Sequence, residues 1–267
     1  AISDLSNPDP KIQKDACEAL KAIGPAASEA VPALVDLIRR SKDQDVIESA
    51  WDALKAIGPA APEAVPALAN LIRRSEDPDV IVKACEVLKA IGPAASEAVP
   101  ALADLIRRSE DWGVIKSACE ALGAIGPAAS EAVPALADLI RRSKNPYVIE
   151  SACWALEAIG PAASEAVPAL VDLIRRSEEW GVIESACEAL GAIGPAASEA
   201  VPALADLIRR SKDQDVIESA WDALKAIGPA ALPELKPLTG WLSGLDKWKK
   251  ERIKGVIAEI ERKHGIR

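Results

Sequence analysis

The stretch Val46–Ala61, VIESAWDALKAIGPAA, occurs again letter for letter as Val216–Ala231, and five further copies are close variants of it. Every copy carries the marker Ile-Gly-Pro, and consecutive markers are 34 residues apart. A fixed period of this length is typical of stacked repeats, each of which buries its apolar face against its neighbours. We therefore predict a repeat array. The markers start at Ile23, Ile57, Ile91, Ile125, Ile159, Ile193 and Ile227.

Two helices are predicted in each repeat. In the copy that starts at Asp43, this aspartate suits the N-cap of the second helix, and Val46, Ala50 and Leu54 follow at helical spacing. Gly58 is predicted to end this helix, because glycine readily adopts the backbone conformation that follows a helix and the next residue is proline. The equivalent N-caps are Asp9, Asp77, Asp111, Asn145, Glu179 and Asp213.

The first helix of each repeat is predicted to start near Ser96 or its equivalents. Leu34 and Ile38 belong to its apolar stripe, and Arg39 and Arg40 end it. We interpret this Arg pair as a solvated end, where cations match the helix dipole, rather than as an anion site.

The segment GPAASEAVPALVDLIRRSKDQDVIESAWDALKAIG resembles HEAT repeats of the short bacterial type. The resemblance lies in A-V-P-A-L of the first helix and A-x-x-A-L-x-x-I-G of the second, and it covers about residues 7–231. It implies an all-α, right-handed α-solenoid of about seven two-helix repeats, with the second helices along the concave side. We predict an N-terminal cap remnant at 1–6, the array at 7–231 and a helical cap at 232–267.

The C-terminal cap is predicted to contain a short helix and a longer helix that starts at Asp246. One departure from the family pattern concerns the residue that follows Val46 and its equivalents. HEAT repeats often carry arginine there, whereas this chain has isoleucine, so apolar packing is expected in place of an Asp–Arg ladder. These residues are Ile47, Ile81, Ile115, Ile149, Ile183 and Ile217.

Composition excludes several classes of protein. The 267 residues are 49% hydrophobic and carry a net charge of −9, which argues against a general affinity for nucleic acid. No apolar run is long enough for a transmembrane helix, so we expect no membrane association. The five cysteines recur at multiples of 34 residues and are predicted to be buried, which fits a reducing, cytoplasmic location. The absence of Phe and Met favours a designed or consensus-built chain, with recent natural duplication as the alternative.

No catalytic constellation is evident. The chain has one histidine, no spacing typical of metal ligands and no glycine-rich phosphate loop. We therefore predict that the protein is not an enzyme and has no cofactor and no metal site.

The copies differ mainly at the positions equivalent to residues 44, 45, 48, 49, 52 and 55, most of which share one face of the second helix. In repeats four to six this face gains aromatic residues and glutamates, a composition typical of binding hot spots. Packing of the aromatic rings between repeats is the alternative. The candidate partner-binding residues are Trp112, Lys116, Glu120, Tyr147, Glu150, Trp154, Glu157, Trp180, Glu184 and Glu188.

Trp51 and Trp221 stand where the other copies have cysteine, and a fully buried slot would be overpacked, so either these repeats open slightly or the slot reaches the surface. We expect both rings to be partly buried.

The hypothesis that follows is a protein- or peptide-binding scaffold, monomeric or weakly homo-oligomeric. Its partner is a protein or an extended peptide, and the glutamates favour a basic one. The alternative is a purely structural repeat protein with no selected ligand.

Overall fold

The second helix of each repeat is bounded by the residues that the sequence places at its ends. In the computed structural model, which describes residues 1–240 and 247–266, the side chain of Asp43 accepts a hydrogen bond from the backbone N–H of Val46. Gly58 has a φ of +50° and donates its N–H to the carbonyl of Leu54. A Cβ on Gly58 would lie 3.4 Å from the carbonyl oxygen of Ala90 in the next repeat. That distance is an ordinary van der Waals contact, so glycine is required here for its positive φ and not for space.

The chain divides into two units, Ala1–Ala132 and Val133–Arg267. In the first unit the second helices α1, α3, α5 and α7 pack side by side, and the first helices α2, α4 and α6 each pack against the second helix that follows. The helices are α1 (Pro10–Ile23), α2 (Val31–Arg40), α3 (Gln44–Ile57), α4 (Val65–Arg74), α5 (Pro78–Ile91), α6 (Val99–Arg108) and α7 (Trp112–Ile125), preceded by the 3-10 helix Ser3–Ser6.

The second unit repeats this arrangement, with α9, α11 and α13 in one layer and α8, α10, α12 and α14 in the other. The described residues form α- and 3-10 helices and no strand, and the fold is an all-α solenoid of two-helix repeats. The helices are α8 (Val133–Arg142), α9 (Pro146–Ile159), α10 (Val167–Arg176), α11 (Trp180–Ile193), α12 (Val201–Arg210), α13 (Gln214–Ile227), α14 (Leu232–Gly240) and α15 (Lys247–His264).

The link from each second helix to the next first helix is a 3-10 segment. For this reason α6 begins at Val99 and not near Ser96 as predicted, because Ser96 lies within the segment Gly92–Ala98. The other segments are Gly24–Ala30, Gly58–Ala60 with Pro62–Ala64, Gly126–Ala132, Gly160–Ala166, Gly194–Ala200 and Gly228–Ala231.

Small and branched apolar residues fill the interior, and all five cysteines are buried, as predicted. The expectation of partial burial for the two tryptophans in the cysteine slot is wrong: Trp51 is 3% exposed and Trp221 is 0% exposed. Around Trp51 the neighbouring helices make room, because α3 and α5 approach each other less closely along their length than α1 and α3 do. At Trp51 the wider spacing of two repeats thus relieves the overpacking, whereas α13, which carries Trp221, packs against α11 as closely as α3 packs against α1.

The second arginine of the Arg pair links consecutive repeats. Arg40 donates to the carbonyl of Leu5, and Arg176 donates to the carbonyl of Ile140. The end of the first helix is therefore more than a solvated, dipole-matched terminus. Arg108 and Arg210 make the same contact with the carbonyls of Ile72 and Ile174.

In the C-terminal cap, Lys249 takes over the role of this arginine. Its ammonium group donates to the carbonyl oxygens of Ile208 and Ser211, at 3.3 Å and 3.0 Å. Four apolar residues of α15 are buried, namely Ile253, Val256, Ile257 and Ile260. The predicted helix start at Asp246 lies outside the described residues. The domain boundaries at 6/7 and 231/232 remain predictions.

Candidate functional site

Charged side chains connect the second helices of the first unit in a regular ladder. Each rung joins a lysine near the end of one helix to an acid on the next, 31 residues further along the chain. We name this series the Lys–acid ladder. Its rungs are Lys21–Asp52 at 2.7 Å, Lys55–Glu86 at 2.8 Å and Lys89–Glu120 at 3.0 Å. All of these side chains are largely exposed, so each rung adds little stability.

On α7, in the first unit, three candidate binding residues share one side of the helix. Trp112 is its first residue, and Lys116 lies 3.8 Å from Glu120. Glu120 also pairs with Lys89, so Lys116 and Glu120, the two charged residues of α7, both have a partner within the unit. The sequence analysis identified these residues but missed their pairing, although lysine and acid recur 31 residues apart in the chain.

On α9, in the second unit, four candidate residues form one continuous stripe. Tyr147, Glu150, Trp154 and Glu157 are spaced by three or four residues, which places their side chains on the same face of the helix. Trp154 stands where other copies have an acid, and Glu157 stands where four copies have the rung lysine. In this stripe an aromatic ring thus replaces the acid of the Lys–acid ladder, and an acid replaces its lysine.

On α11, which packs against α9, the remaining candidates are Trp180, Glu184 and Glu188. A Cβ placed on Gly181 would lie 2.8 Å from a carboxylate oxygen of Glu150. Glycine next to Trp180 therefore leaves room for the α9 carboxylate at the first turn of α11. The negative charge of that carboxylate is favourable at a helix N-terminus.

The structure brings the carboxylates of α9 and α11 close enough to interact. In the register of the Lys–acid ladder, the next rung of this unit pairs Glu157 with Glu188, which are two like charges. Burial raises the pKa of Glu188, and the charges of Glu157 and Glu184 raise it further. Neither helix contains Lys, Arg or His, and within the described residues no ion pair includes a glutamate of α9 or α11.

The four aromatic candidates remain largely exposed: Trp112 by 57%, Tyr147 by 70%, Trp154 by 43% and Trp180 by 59%. Every other exposed large hydrophobic residue of the described chain lies close to one of its ends. Those residues are Ile2, Ile12, Ile23 and Ile266. Large exposed apolar groups away from the chain ends mark a surface that is available to a partner.

Residues 1–240 and 247–266 contain no cluster of three His, Cys, Asp or Glu side chains that could hold a metal ion. In that same part of the chain, no helix is both long and apolar enough to cross a membrane.

Solved structures similar to this chain are helical repeat proteins. A Kap121p structure bound to Pho4p is 14% identical with a TM-score of 0.60, and the match covers 98% of this chain and 33% of that one. Yeast importin-β (Kap95p) is 14% identical with a TM-score of 0.59, covering 97% and 41%. A structure from work on the phosphorylation-controlled interaction between cadherin and β-catenin is 17% identical with a TM-score of 0.54, covering 98% and 69%.

These likenesses show the fold, and the chain spans less than half the length of the two karyopherins. No curated protein matches the sequence. The family model of HEAT repeats matches three overlapping segments, residues 2–80, 65–157 and 133–225, which together cover most of the chain. Together with the two-helix repeats, these matches show that the chain belongs to the HEAT-repeat family.

Proposed function

We propose that this protein is a non-catalytic scaffold that binds a protein or an extended peptide. The binding surface is the face of the second helices, which is expected to be concave in HEAT arrays, and its anchors are Trp112, Tyr147, Trp154 and Trp180. The observation that carries the proposal is the exposure of these four rings at positions where the remaining copies have no aromatic residue, but Pro, Gln, Lys, Gly, Asp or Glu. Exposed aromatic residues with charged neighbours are typical of interaction hot spots.

Similar structures support a binding role for such arrays. Kap121p has been solved bound to Pho4p and bound to Nup53p, and Kap95p has been studied in complex with RanGDP. Each of these complexes places a protein partner on a helical repeat array. The partner of this chain is proposed to have basic character, since α9 and α11 carry four glutamates and no basic residue.

The aromatic anchors alone give modest affinity. Burial of a half-exposed ring removes roughly 100 Å² from water, which contributes about 2.5 kcal/mol per anchor. Association costs about 4–15 kcal/mol in lost freedom of motion. Four anchors therefore roughly offset this cost, and polar contacts must supply the remaining affinity and the specificity.

The test selects peptides from a displayed random library against the full chain and measures each against a triple variant. W112Q and W180Q introduce the residue that Gln44 and Gln214 already supply at this position, and W154A removes the ring without adding charge. The matched control is I23A, which removes an exposed apolar side chain from the first repeat. We expect the triple variant to lose binding and I23A to keep it. Equal binding by all three proteins, or recovery of no peptide, would favour the structural-scaffold alternative.

A further inference from the structure

The second-helix face of α9 lacks the rung lysine that α1, α3 and α5 supply. Lys21, Lys55 and Lys89 each bridge to an acid of the following second helix. On α9 the equivalent position holds Glu157, which faces Glu188 of α11. This rung therefore contains two acids, because Glu157 stands in place of the lysine.

Neighbouring groups of the same unit do not replace this lysine. On α13, the other neighbour of α11, Lys225 pairs with Asp222 at 2.8 Å. Arg252 of the cap pairs with Glu218 at 2.5 Å and lies 3.8 Å from Asp222. These cations are matched to acids of α13, so the α9–α11 carboxylates face the solvent without a counter-charge among the described residues.

Exposed aromatic rings border the same rung. Trp154 lies one turn before Glu157 on α9, and its ring is accessible. A cationic side chain that approaches the rung therefore meets an indole face as well as two carboxylates. Indole rings attract ammonium and guanidinium groups through the negative face of the π system. The exposed rings thus favour docking of a partner on this surface, and the two carboxylates favour a cationic group on that partner.

We propose that a lysine or arginine side chain of the bound peptide inserts between α9 and α11 and takes the place of the missing ladder lysine, contacting Glu157, Glu188 and the ring of Trp154. This inference rests on the proposed function and adds to it the chemistry of the recognised side chain. The occupant is a peptide segment that carries a cation flanked by apolar residues, since the neighbouring anchors Tyr147 and Trp180 are aromatic.

The probes are pools of short synthetic peptides with identical randomised flanks that differ only at the central residue, which is Lys, norleucine or Glu. Binding of each pool to the full chain is measured by fluorescence anisotropy. We expect the Lys pool to bind the parent protein about tenfold more tightly than the norleucine pool, because a charged hydrogen-bond pair is lost in the latter. The Glu pool is expected to bind more weakly than both.

Four variants locate the effect. E188Q and E157Q should abolish the preference for Lys over norleucine. E86Q is the matched control, since Glu86 occupies the same position as Glu188 but is already paired with Lys55 and is not among the candidate binding residues. It should leave the preference unchanged. E157K restores the ladder lysine and should weaken binding of the Lys pool about tenfold or more, while the fold, monitored by circular dichroism, is retained.

The outcomes separate this inference from the proposed function. Equal binding of the Lys and norleucine pools, with both lost in the W112Q/W154A/W180Q variant, would overturn the inference and leave the proposed function standing. An equal loss of preference in E86Q and E188Q would also overturn it. Binding of no pool to the parent protein would overturn both.

Discussion

The N-cap of α11 is the one second-helix cap whose side chain makes no capping hydrogen bond within the described residues. Glu179 has nearly the same backbone angles as Asp111, the equivalent cap of α7, whose carboxylate accepts from Val114 N–H at 2.9 Å. In both repeats the serine two residues before the cap, Ser109 or Ser177, accepts a hydrogen bond from the N–H of the cap residue at 3.2 Å. The two caps thus differ by one methylene, which carries the Glu179 carboxylate beyond the first turn.

From this geometry we predict that E179D stabilises the protein by about 1 kcal/mol, the usual contribution of a capping side chain. The reciprocal change D111E should destabilise it by about the same amount. Both substitutions conserve the charge, so the interaction with the helix dipole changes little. The carboxylate of Glu150 near the first turn of α11 already adds favourable charge there, which places the gain from E179D at the lower end of the capping range.

Urea unfolding followed by circular dichroism measures the global effect, and hydrogen exchange of the first-turn amides of α11 gives the local one, since repeat arrays open locally. E179D should slow exchange at residues 181 and 182, and D111E should accelerate it at the equivalent amides of α7. If D111E costs nothing, or if E179D leaves both stability and exchange unchanged, side-chain capping does not stabilise these helices and the argument fails.

Three further predictions concern burial and charge. W51A should destabilise the protein by about 3–5 kcal/mol in urea unfolding, because it empties a buried slot, whereas W180Q should stay within about 0.5 kcal/mol; equal effects would contradict the burial. E157K should stabilise the protein by about 0.2–1 kcal/mol at pH 7. Because the pKa of Glu188 is raised in the folded protein, the protonated Glu188 side chain favours the folded state. This contribution to the stability is lost as the pH rises through that pKa. The gain from E157K should therefore shrink as pH falls towards 4, and a gain that does not change with pH would exclude relief of this repulsion. Burial raises the pKa of Cys85 to about 12, so the native protein should react slowly with iodoacetamide at pH 8 and rapidly once unfolded in urea; fast native labelling would refute this.

The sequence predicts the repeat boundaries and the core well, because both depend on local signals. The Ile-Gly-Pro marker fixes where each second helix ends, and the spacing of Val46, Ala50 and Leu54 identifies the face that is buried. Burial of the two tryptophans in the cysteine slot was missed, since the spacing between α3 and α5 depends on how two whole repeats pack. Nothing in the residues next to Trp51 reports that distance.

The Lys–acid ladder could have been found from the sequence but was not. Lysine and acid recur 31 residues apart, a separation that differs from the period by three residues and is easily missed when copies are aligned position by position. The contact of Arg176 with a carbonyl of the preceding repeat leaves no such signal, because any residue supplies that acceptor.

The division between core and surface explains why the array can change its second-helix face without loss of the fold. An exposed rung such as Lys55–Glu86 contributes at most about 1 kcal/mol, whereas a fully buried leucine such as Leu54 contributes several kcal/mol relative to alanine. Replacing a rung lysine by Glu157, or a rung acid by Trp154, therefore costs little stability. Random drift at such positions would scatter these replacements over all repeats. In this chain, the rung lysine is replaced and exposed aromatic rings occur on the same helices, α7, α9 and α11, and the proposed binding of a partner would explain this coincidence where stability alone does not.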